Sequence, residues 1–521
     1  MDKKMNFATC SISKALITTL AGIGLLLVLI QLLDSLCPCA SNLSFGLPPW
    51  QQSSSASTVQ QQVISHIVDN SLPIAGKTTL ALEESIPLER QDTLLSSEDG
   101  SNSPYANSSS VTEEESQGVQ DGRQLQPYGV AAHLFVHLGS YRGGPRSFAT
   151  VGLASKPLHV FGTPGFDCEW IPARSNTSVI AEGSKMLPDW GFGRIYTVVV
   201  VNCSFHTDVG TDSEGGQLVL HAYSGDGFGK PVRISALNEL KGHYNSSRFI
   251  PPYPYKYLYC GSPLYGSINP SRLREWMVYH AWLLGASSYF VLYDAGGLHS
   301  GLKKVLDPWI KLGRVKIESV QEQKKYDGYY YNQFLFVNDC LHKYRFMADW
   351  TFFFDVDEYV YIPPGESMDS VLDNHGASQI LIEQRHISDK LCLLNSDNIT
   401  AGDSSTWGIE KLVFNNVKKG HRWNRKYVIN ARNAFAAGVH LSQNLVGKTV
   451  RSNGYKLRYY HYHNTISYQG ELCREYIKLQ NDSYVLFEGD PYKYDERMKA
   501  LVGDVKEFER KSLGLQLDMS V

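Results

Sequence analysis

"WTFFFDVDEYVYIP", residues 350–363, sets two aspartates and a glutamate at the end of a run of aromatic and β-branched residues. Such a run reads as a buried strand. Side chains of an extended chain repeat every two residues, so the spacing predicts Asp355 and Asp357 on one side and Glu358 on the other, in a supporting role. Two carboxylates at one strand end repel unless a cation joins them. Hard oxygens at such a place suit Mn2+ or Mg2+, with phosphate oxygens completing the shell.

Working outward, strands and helices alternate. "YKYLYCGSPL" (255–264) reads as a first strand, and "NPSRLREWMVYHAWLLGA" (269–286) as a helix with Asn269 at its N-cap and Pro270 at its first position. "SSYFVLYDAGG" is a second strand ending in Asp294. "SGLKKVLDPWIKLG" is a helix, "RVKIESV" a strand, and "YYNQFLFVNDCLHKYRFMAD" (330–349) a long helix leading into the carboxylate strand. This rhythm predicts a largely parallel sheet with helices on both faces. Ligands of such sheets bind at the carboxyl ends of strands, where Asp294 and Asp355 fall.

The rest of the chain divides by composition. "ALITTLAGIGLLLVLIQLL" (15–33) is uncharged and long enough to span a bilayer. Lys3, Lys4 and Lys14 precede it and the next Lys or Arg is Lys77, which predicts a cytosolic tail (1–14) and a single-pass type II anchor, with a cleaved signal peptide as the rival. Residues 34–126 are rich in Ser, Gln, Asn and Glu and predict a disordered stem. Residues 127–250 hold short β-type runs between Gly, Pro, Asp and Ser clusters, which predicts an antiparallel β-sandwich. Sandwiches of this kind host many functions, and a carbohydrate-binding module is the one considered for it. Trp170, Trp190 and Tyr223 are either its sugar platforms or core aromatics. Residues 251–521 form the α/β domain. The formal charge of −3 gives no single-sign field for nucleic acid. Seven sequons and six of the nine cysteines (Cys168, Cys203, Cys260, Cys340, Cys392 and Cys473) suit an oxidising lumen, and fifteen pairings of those six stay open.

"CGSPLYG", "LREWMVYHAWLLGASSYFVLYDAGG", "YNQFLFVNDCLHKYR", "FFFDVDEYVYIP", "AAGVHLS" and "YYHYHNT" together resemble glycosyltransferase family 92 over roughly residues 255–475. "WGIEKLVF", "GVHLSQNLVGKT" and "RYYHYHNTISYQGELCRE" are similar to its plant galactan β-1,4-galactosyltransferases. The resemblance implies a GT-A (Rossmann-like) catalytic fold, UDP-galactose as donor, Mn2+ dependence and inversion at the anomeric carbon. The implied product is β-1,4-galactan of pectic rhamnogalacturonan I, made by a Golgi membrane protein with its catalytic domain in the lumen.

It also implies roles. Asp355 and Asp357 match the family's DxD and would hold the metal. His461 best fits the family's His-Tyr pattern as a further metal ligand, with His440 as another candidate and His463 reaching a phosphate, a hydrogen-bonded structural role being the alternative for either of the last two. Asp294 would contact the uridine or ribose, and Arg272 and Arg274 the diphosphate, a solvated helix face being the alternative for one of the two arginines. Gln333 and Asn338 would line the donor pocket or pack the helix. Inversion requires a general base. Glu410, read at a strand start, is the first candidate, a structural pairing with Lys411, Lys418 or Arg422 being its alternative, followed by Asp403 and Asp389, with Trp407 stacking on galactose. The basic "KKGHRWNRKY" (418–427) would contact pyrophosphate or pectin, or lie solvated. A homodimer is considered only because many Golgi transferases form one.

Three rivals remain. A glycoside hydrolase needs two carboxylates across a sugar ring, which strand neighbours do not straddle. A Golgi lectin or scaffold would use the β-domain alone. A transferase for another UDP-sugar such as UDP-arabinopyranose would use nearly the same pocket, since that sugar lacks only the C6 hydroxymethyl.

Overall fold

The computed structural model describes residues 123–514 except 130–133, 158–163, 176, 193, 224–229, 373–375, 395–405, 419–423 and 479–483. The predicted tail, membrane span and nearly all of the stem lie outside the described residues. Among the described residues, no helix is long and apolar enough to cross a membrane. Arg123 to Gln126, placed with the stem by composition, belong to the fold: Leu125 is buried and the Arg123 N–H donates to the Ser319 carbonyl at 3.1 Å.

The β-rich region holds eight strands, paired antiparallel throughout. Strand Val179–Met186 pairs with Gly165–Pro172 through its first half and with Tyr196–Ser204 through its second, so it carries the sheet across from one layer to the other. Phe148, Trp170, Val199, Val201 and Leu220 fill the space between the layers, and Cys168 is bonded to Cys203 across it. Trp170 is therefore a core residue, stacked on Phe148. Tyr223 is half-buried and its hydroxyl donates to Asp167 at 2.7 Å. Trp190 is exposed.

The second sheet is mixed rather than largely parallel. Val315–Ser319, Ser288–Asp294, Tyr255–Cys260 and Ala348–Phe353 lie side by side and parallel, the first strand in sequence being internal. Arg425–Ile429 then runs antiparallel between Ala348–Phe353 and Gln379–His386. Arg458–His461 follows parallel to Gln379–His386, and Glu358–Tyr361 closes the order antiparallel to Arg458–His461. Asn269 caps the helix Pro270–Leu284 by accepting from Ser271 N–H at 2.9 Å, as the sequence predicts. This helix, Ser300–Lys311 and Arg497–Leu513 contribute to the core on one face. On the other face, helix Gln333–Lys343 lies between the sheet and Val136, Leu138, Val151, Leu153 and Val198 of the β-region. Cys260–Cys340 ties that helix to the first strand, and Cys392–Cys473 joins two later segments.

Burial also sets an acid limit. It holds His280 and His342 down at about 3 and His137 at about 4. Above pH 6.5 these rings are neutral whether the chain is folded or not. Below it the unfolded chain takes up protons that the folded one refuses, so stability is lost as pH falls from 6.5 towards 3. Each histidine costs about 2 kcal/mol by pH 5. The thermal midpoint is expected to drop steeply between pH 7 and 5. A flat midpoint would contradict the neutral buried imidazoles.

Candidate active site

The carboxylate stretch is not one strand. Ala348–Phe353 ends before Asp355, Asp355–Asp357 form a turn, and Glu358–Tyr361 starts a new strand elsewhere in the sheet. The turn is closed by Glu358 N–H donating to the Asp355 carbonyl at 3.1 Å. Trp276 Nε1–H donates to the carbonyls of Asp355 (3.2 Å) and Glu358 (3.0 Å) and fixes the turn from below. Tyr259 O–H donates to the Phe354 carbonyl at 3.0 Å. A Cβ at Gly261 would collide with that same carbonyl, so this position of "CGSPLYG" has to be bare. Asp355 and Asp357 thus project from a braced corner and not from one face of an extended chain.

The turn lies where strand ends converge. Lys426, one residue into the antiparallel strand, is buried and pairs with Asp355 at 2.7 Å and Glu358 at 3.5 Å. Burial opposes its charge, yet Asp355 and Glu358 keep its pKa above the ordinary lysine value. Burial likewise opposes ionisation of Asp355, but Lys426 and an amide hydrogen bond from Gln333 at 2.7 Å hold its carboxyl below the usual range. Glu358 is the counter-case: burial, only partly offset by Lys426, pushes it up to about 7. Its Oε2 accepts from Asp355 N–H at 2.7 Å, which is the supporting role expected of it.

His461 sits opposite Glu358 in the sheet register. Its Nε2 is 3.4 Å from Asp357 Oδ2, and its Nδ1 meets the Gln384 amide at 2.6 Å. Burial disfavours the imidazolium, but Asp357, Glu358 and Asp355 raise it to about 9. The Gln384 atom at that contact is Nε2, so the ring's tautomer sets which of the two nitrogens donates. The His463 ring centroid is 5.2 Å from that of His461 and 6.1 Å from that of His386, the last residue of its strand. His440 is held through Nδ1 by the Arg425 carbonyl at 3.0 Å, and burial and then Lys426 lower it to about 4.

Other predicted residues have structural partners. Both Asp294 oxygens are taken, by Gly296 and Leu298 N–H and by the Gln321 amide at 2.8 Å. Arg272 pairs with Glu275 and Arg274 with Glu509. Asn338 bonds the backbone at Phe334 and Ala437. Glu410 does not open a strand: it lies in the short helix Gly408–Lys411, accepts from Trp407 N–H at 2.6 Å and pairs with Lys506 at 2.6 Å. Trp407 is buried, with the Lys506 ammonium over its ring. Asp389 is half-buried, receives Asn464 Nδ2–H at 3.4 Å and acts electrostatically on His463. Asp403 and residues 419–423 of the basic stretch lie outside the described residues. Gln384 and His386 join the site although nothing in their local sequence marked them, and Lys426 joins it from the basic stretch 418–427 as a partner of Asp355.

The donor types at the corner suit a hard divalent cation. Among the described residues no three His, Cys, Asp or Glu side chains converge as a ready-made cage. Asp357 and His461 face each other, however, and a small cation held mainly by substrate phosphates needs only one or two protein ligands.

Residues 255–500 match the family model for glycosyltransferase family 92. The chain is 52% identical over 394 residues to galactan beta-1,4-galactosyltransferase GALS1 of Arabidopsis thaliana, covering 75% of this chain and 79% of that protein. It is 46% identical to GALS3 and to GALS2 of the same plant, over 76% of this chain and 79% and 77% of theirs. With that identity sustained over three quarters of its length, and with the braced carboxylate corner inside the matched region, the chain belongs to glycosyltransferase family 92 and is a glycosyltransferase.

Proposed function

We propose that this protein transfers galactose from UDP-galactose to the non-reducing end of β-1,4-galactan, with inversion and with a divalent cation, on a GT-A catalytic domain in the Golgi lumen. The observation that carries the reading is the 52% identity to a galactan galactosyltransferase across both the β-rich and the catalytic regions. The parallel strand order with the carboxylate corner at its carboxyl end supports a nucleotide-sugar site. The three disulfides support an oxidising compartment. Anchoring by residues 15–33 completes the proposed topology.

Asp357 and His461 would hold the cation, with Asp355 joining them beside Lys426. The cation, Mn2+ or Mg2+, supplies positive charge against the leaving diphosphate. Lys426 keeps Asp355 ionised and oriented. Gln384 fixes the His461 ring. Trp276 and Tyr259 hold the turn rigid, so the carboxylates need not reorganise during reaction. Asp389 is the carboxylate we assign as base, because its charge acts on His463 and the Asn464 amide meets it only at 3.4 Å, a longer hydrogen bond than those that commit Glu410. Glu410 is committed to its helix cap and to Lys506. Asp389→Asn is expected to lower kcat by about 10²–10⁴-fold, and Glu410→Gln to leave it within a few-fold. The reverse ranking would return the base to Glu410.

The test is a donor panel with β-1,4-galactotetraose, in Mn2+ and in chelator. Elongation with UDP-galactose that stops with chelator and returns with Mn2+ is the expected result. Preference for UDP-arabinopyranose, or elongation indifferent to chelator, would overturn the donor or the metal assignment.

A further inference from the structure

Two loops from different regions meet beside the active site and turn their aromatic rings outward. The first, Asp189–Phe192, leaves the β-rich region with Trp190 43% exposed and Phe192 38% exposed. The second leads into helix Gln333–Lys343 and carries Tyr330 at 51% and Tyr331 at 66%. Their rings touch in two runs, joined through the backbone between Tyr330 and Tyr331. Trp190 meets Phe192, Phe192 meets Tyr329 and Tyr329 meets Tyr330, with centroids 6.2, 6.0 and 4.6 Å apart. The next residue, Tyr331, stacks on Tyr265 at 4.5 Å. Tyr265 lies near enough to Asp355 and Asp357 for their charges to add to burial in raising its phenol. The path therefore runs from the β-rich region to the carboxylate corner.

Both loops are built at a backbone cost. Trp190 has φ 52°, and Tyr330, Tyr331 and Asn332 are three consecutive non-glycine residues at φ 50°, 52° and 61°. Left-handed residues of this kind persist only when their surroundings over-determine them, and they gather at ligand-binding places. Buried polar groups do the fixing. Asp189 accepts from Gly191 N–H at 3.1 Å, Val198 N–H at 3.0 Å and the Thr197 hydroxyl. Asn332 donates to Gln323 Oε1 at 2.7 Å and to the Tyr326 carbonyl at 2.8 Å. Trp190 Nε1–H is anchored on Gln443 at 2.9 Å. Burying these rings would be the cheaper arrangement for stability alone.

We infer that this aromatic path is the acceptor track, which holds a neutral β-linked galactan chain across both regions and delivers its end to the carboxylate corner. The inference rests on the galactosyltransferase reading above. The chemistry of the path selects the occupant. Flat rings with polar edges suit the C–H face of a pyranose, and galactose, with its axial O4, presents such a face along C3, C4 and C5. Beside the track Arg194 pairs with Asp327 at 2.8 Å, so those two flanking charges offset each other, which suits a neutral polymer better than an anionic one. On this account the β-rich region supplies part of the active site and is not a remote tether.

The test uses the full-length chain, with Trp190→Ala and Tyr330→Ala, and Tyr455→Ala as an exposed aromatic elsewhere. KM is measured with UDP-galactose for β-1,4-galactobiose and β-1,4-galactohexaose. Each path variant is expected to raise KM for the hexaose about tenfold while leaving galactobiose, UDP-galactose and kcat unchanged. Tyr455→Ala is expected to change none of them. An unchanged hexaose KM in both path variants overturns the track. So does an equal rise in the UDP-galactose KM, which would assign the rings to the nucleotide. Hexaose binding without donor, followed by tryptophan fluorescence, separates the two claims. If wild type transfers nothing but binds hexaose, and Tyr330→Ala weakens that binding tenfold, the track stands and the reaction reading falls.

Discussion

Replacing Asp357 by asparagine is expected to cut galactosyl transfer by about a thousandfold or more with the fold retained. The substitution keeps the side chain's size. The backbone bond from Tyr462 N–H to the Asp357 carbonyl, at 3.0 Å, does not involve the carboxylate and survives. What is lost is the charge that faces His461 and would hold the cation. Metal-borne stabilisation of a leaving group amounts to several kcal/mol, and each 1.36 kcal/mol is a factor of ten. Two readouts make the prediction specific. Mn2+ affinity in the presence of UDP should fall with turnover, and the His461 imidazole, now lacking Asp357, should titrate well below about 9. A variant that keeps even a tenth of the wild-type kcat would show that the corner does not carry the chemistry.

The second large effect concerns the joint between the two regions. Asp339, on the helix between the sheet and the β-region, is fully buried. Arg123 pairs with it through both oxygens, and the hydroxyls of Tyr141 and Tyr293 also donate to it. One cluster thus draws on the segment before the first strand, the β-region, a parallel strand and the helix. Arg123→Met leaves the carboxylate without its cation in a buried place, and breaking a buried pair from one side costs about 3–5 kcal/mol. A protein that begins at residue 127, after the composition boundary, should show the same loss. Arg123→Met with Asp339→Leu removes both charges and is expected to recover much of it. Thermal unfolding of the three variants checks this. Equal midpoints for Arg123→Met and wild type would mean that the joint is held by apolar packing alone.

The outline of the catalytic region was legible because its signals are local. Asn269 and Pro270 announce a helix start, and apolar runs ending in Gly or Asp announce parallel strands. The β-region was half legible. Runs such as "RIYTVVVVNCSF" stand out, whereas Gly165–Pro172, Val179–Met186 and Val232–Glu239 alternate buried and exposed residues, and their polar halves dilute the pattern. The corner at 355–357 was misread as continuous strand because periodicity does not register a turn that is fixed by Trp276 from eighty residues away. The long helix read over 330–349 starts only at Gln333, since Tyr330 to Asn332 are left-handed. Asp355, Asp357, His461 and Gln333 were found by motif and come together. Lys426 was hidden inside a stretch that looks like a solvated basic loop, and only its place in a central strand forces it against Asp355. Gln384 and His386 end a strand whose pairing partners are distant in sequence. The pairing of Glu410 and Trp407 with Lys506 was not legible, because Lys506 lies about a hundred residues away and the nearer Lys411, Lys418 and Arg422 were the partners in view.

The most direct test of the whole account is proton NMR of the first product formed from UDP-galactose and β-1,4-galactotetraose in Mn2+. One added galactose is expected, linked to O4 of the non-reducing end, with a β anomeric signal from the first turnover. An α-linked product, free galactose without elongation, or no product would contradict it.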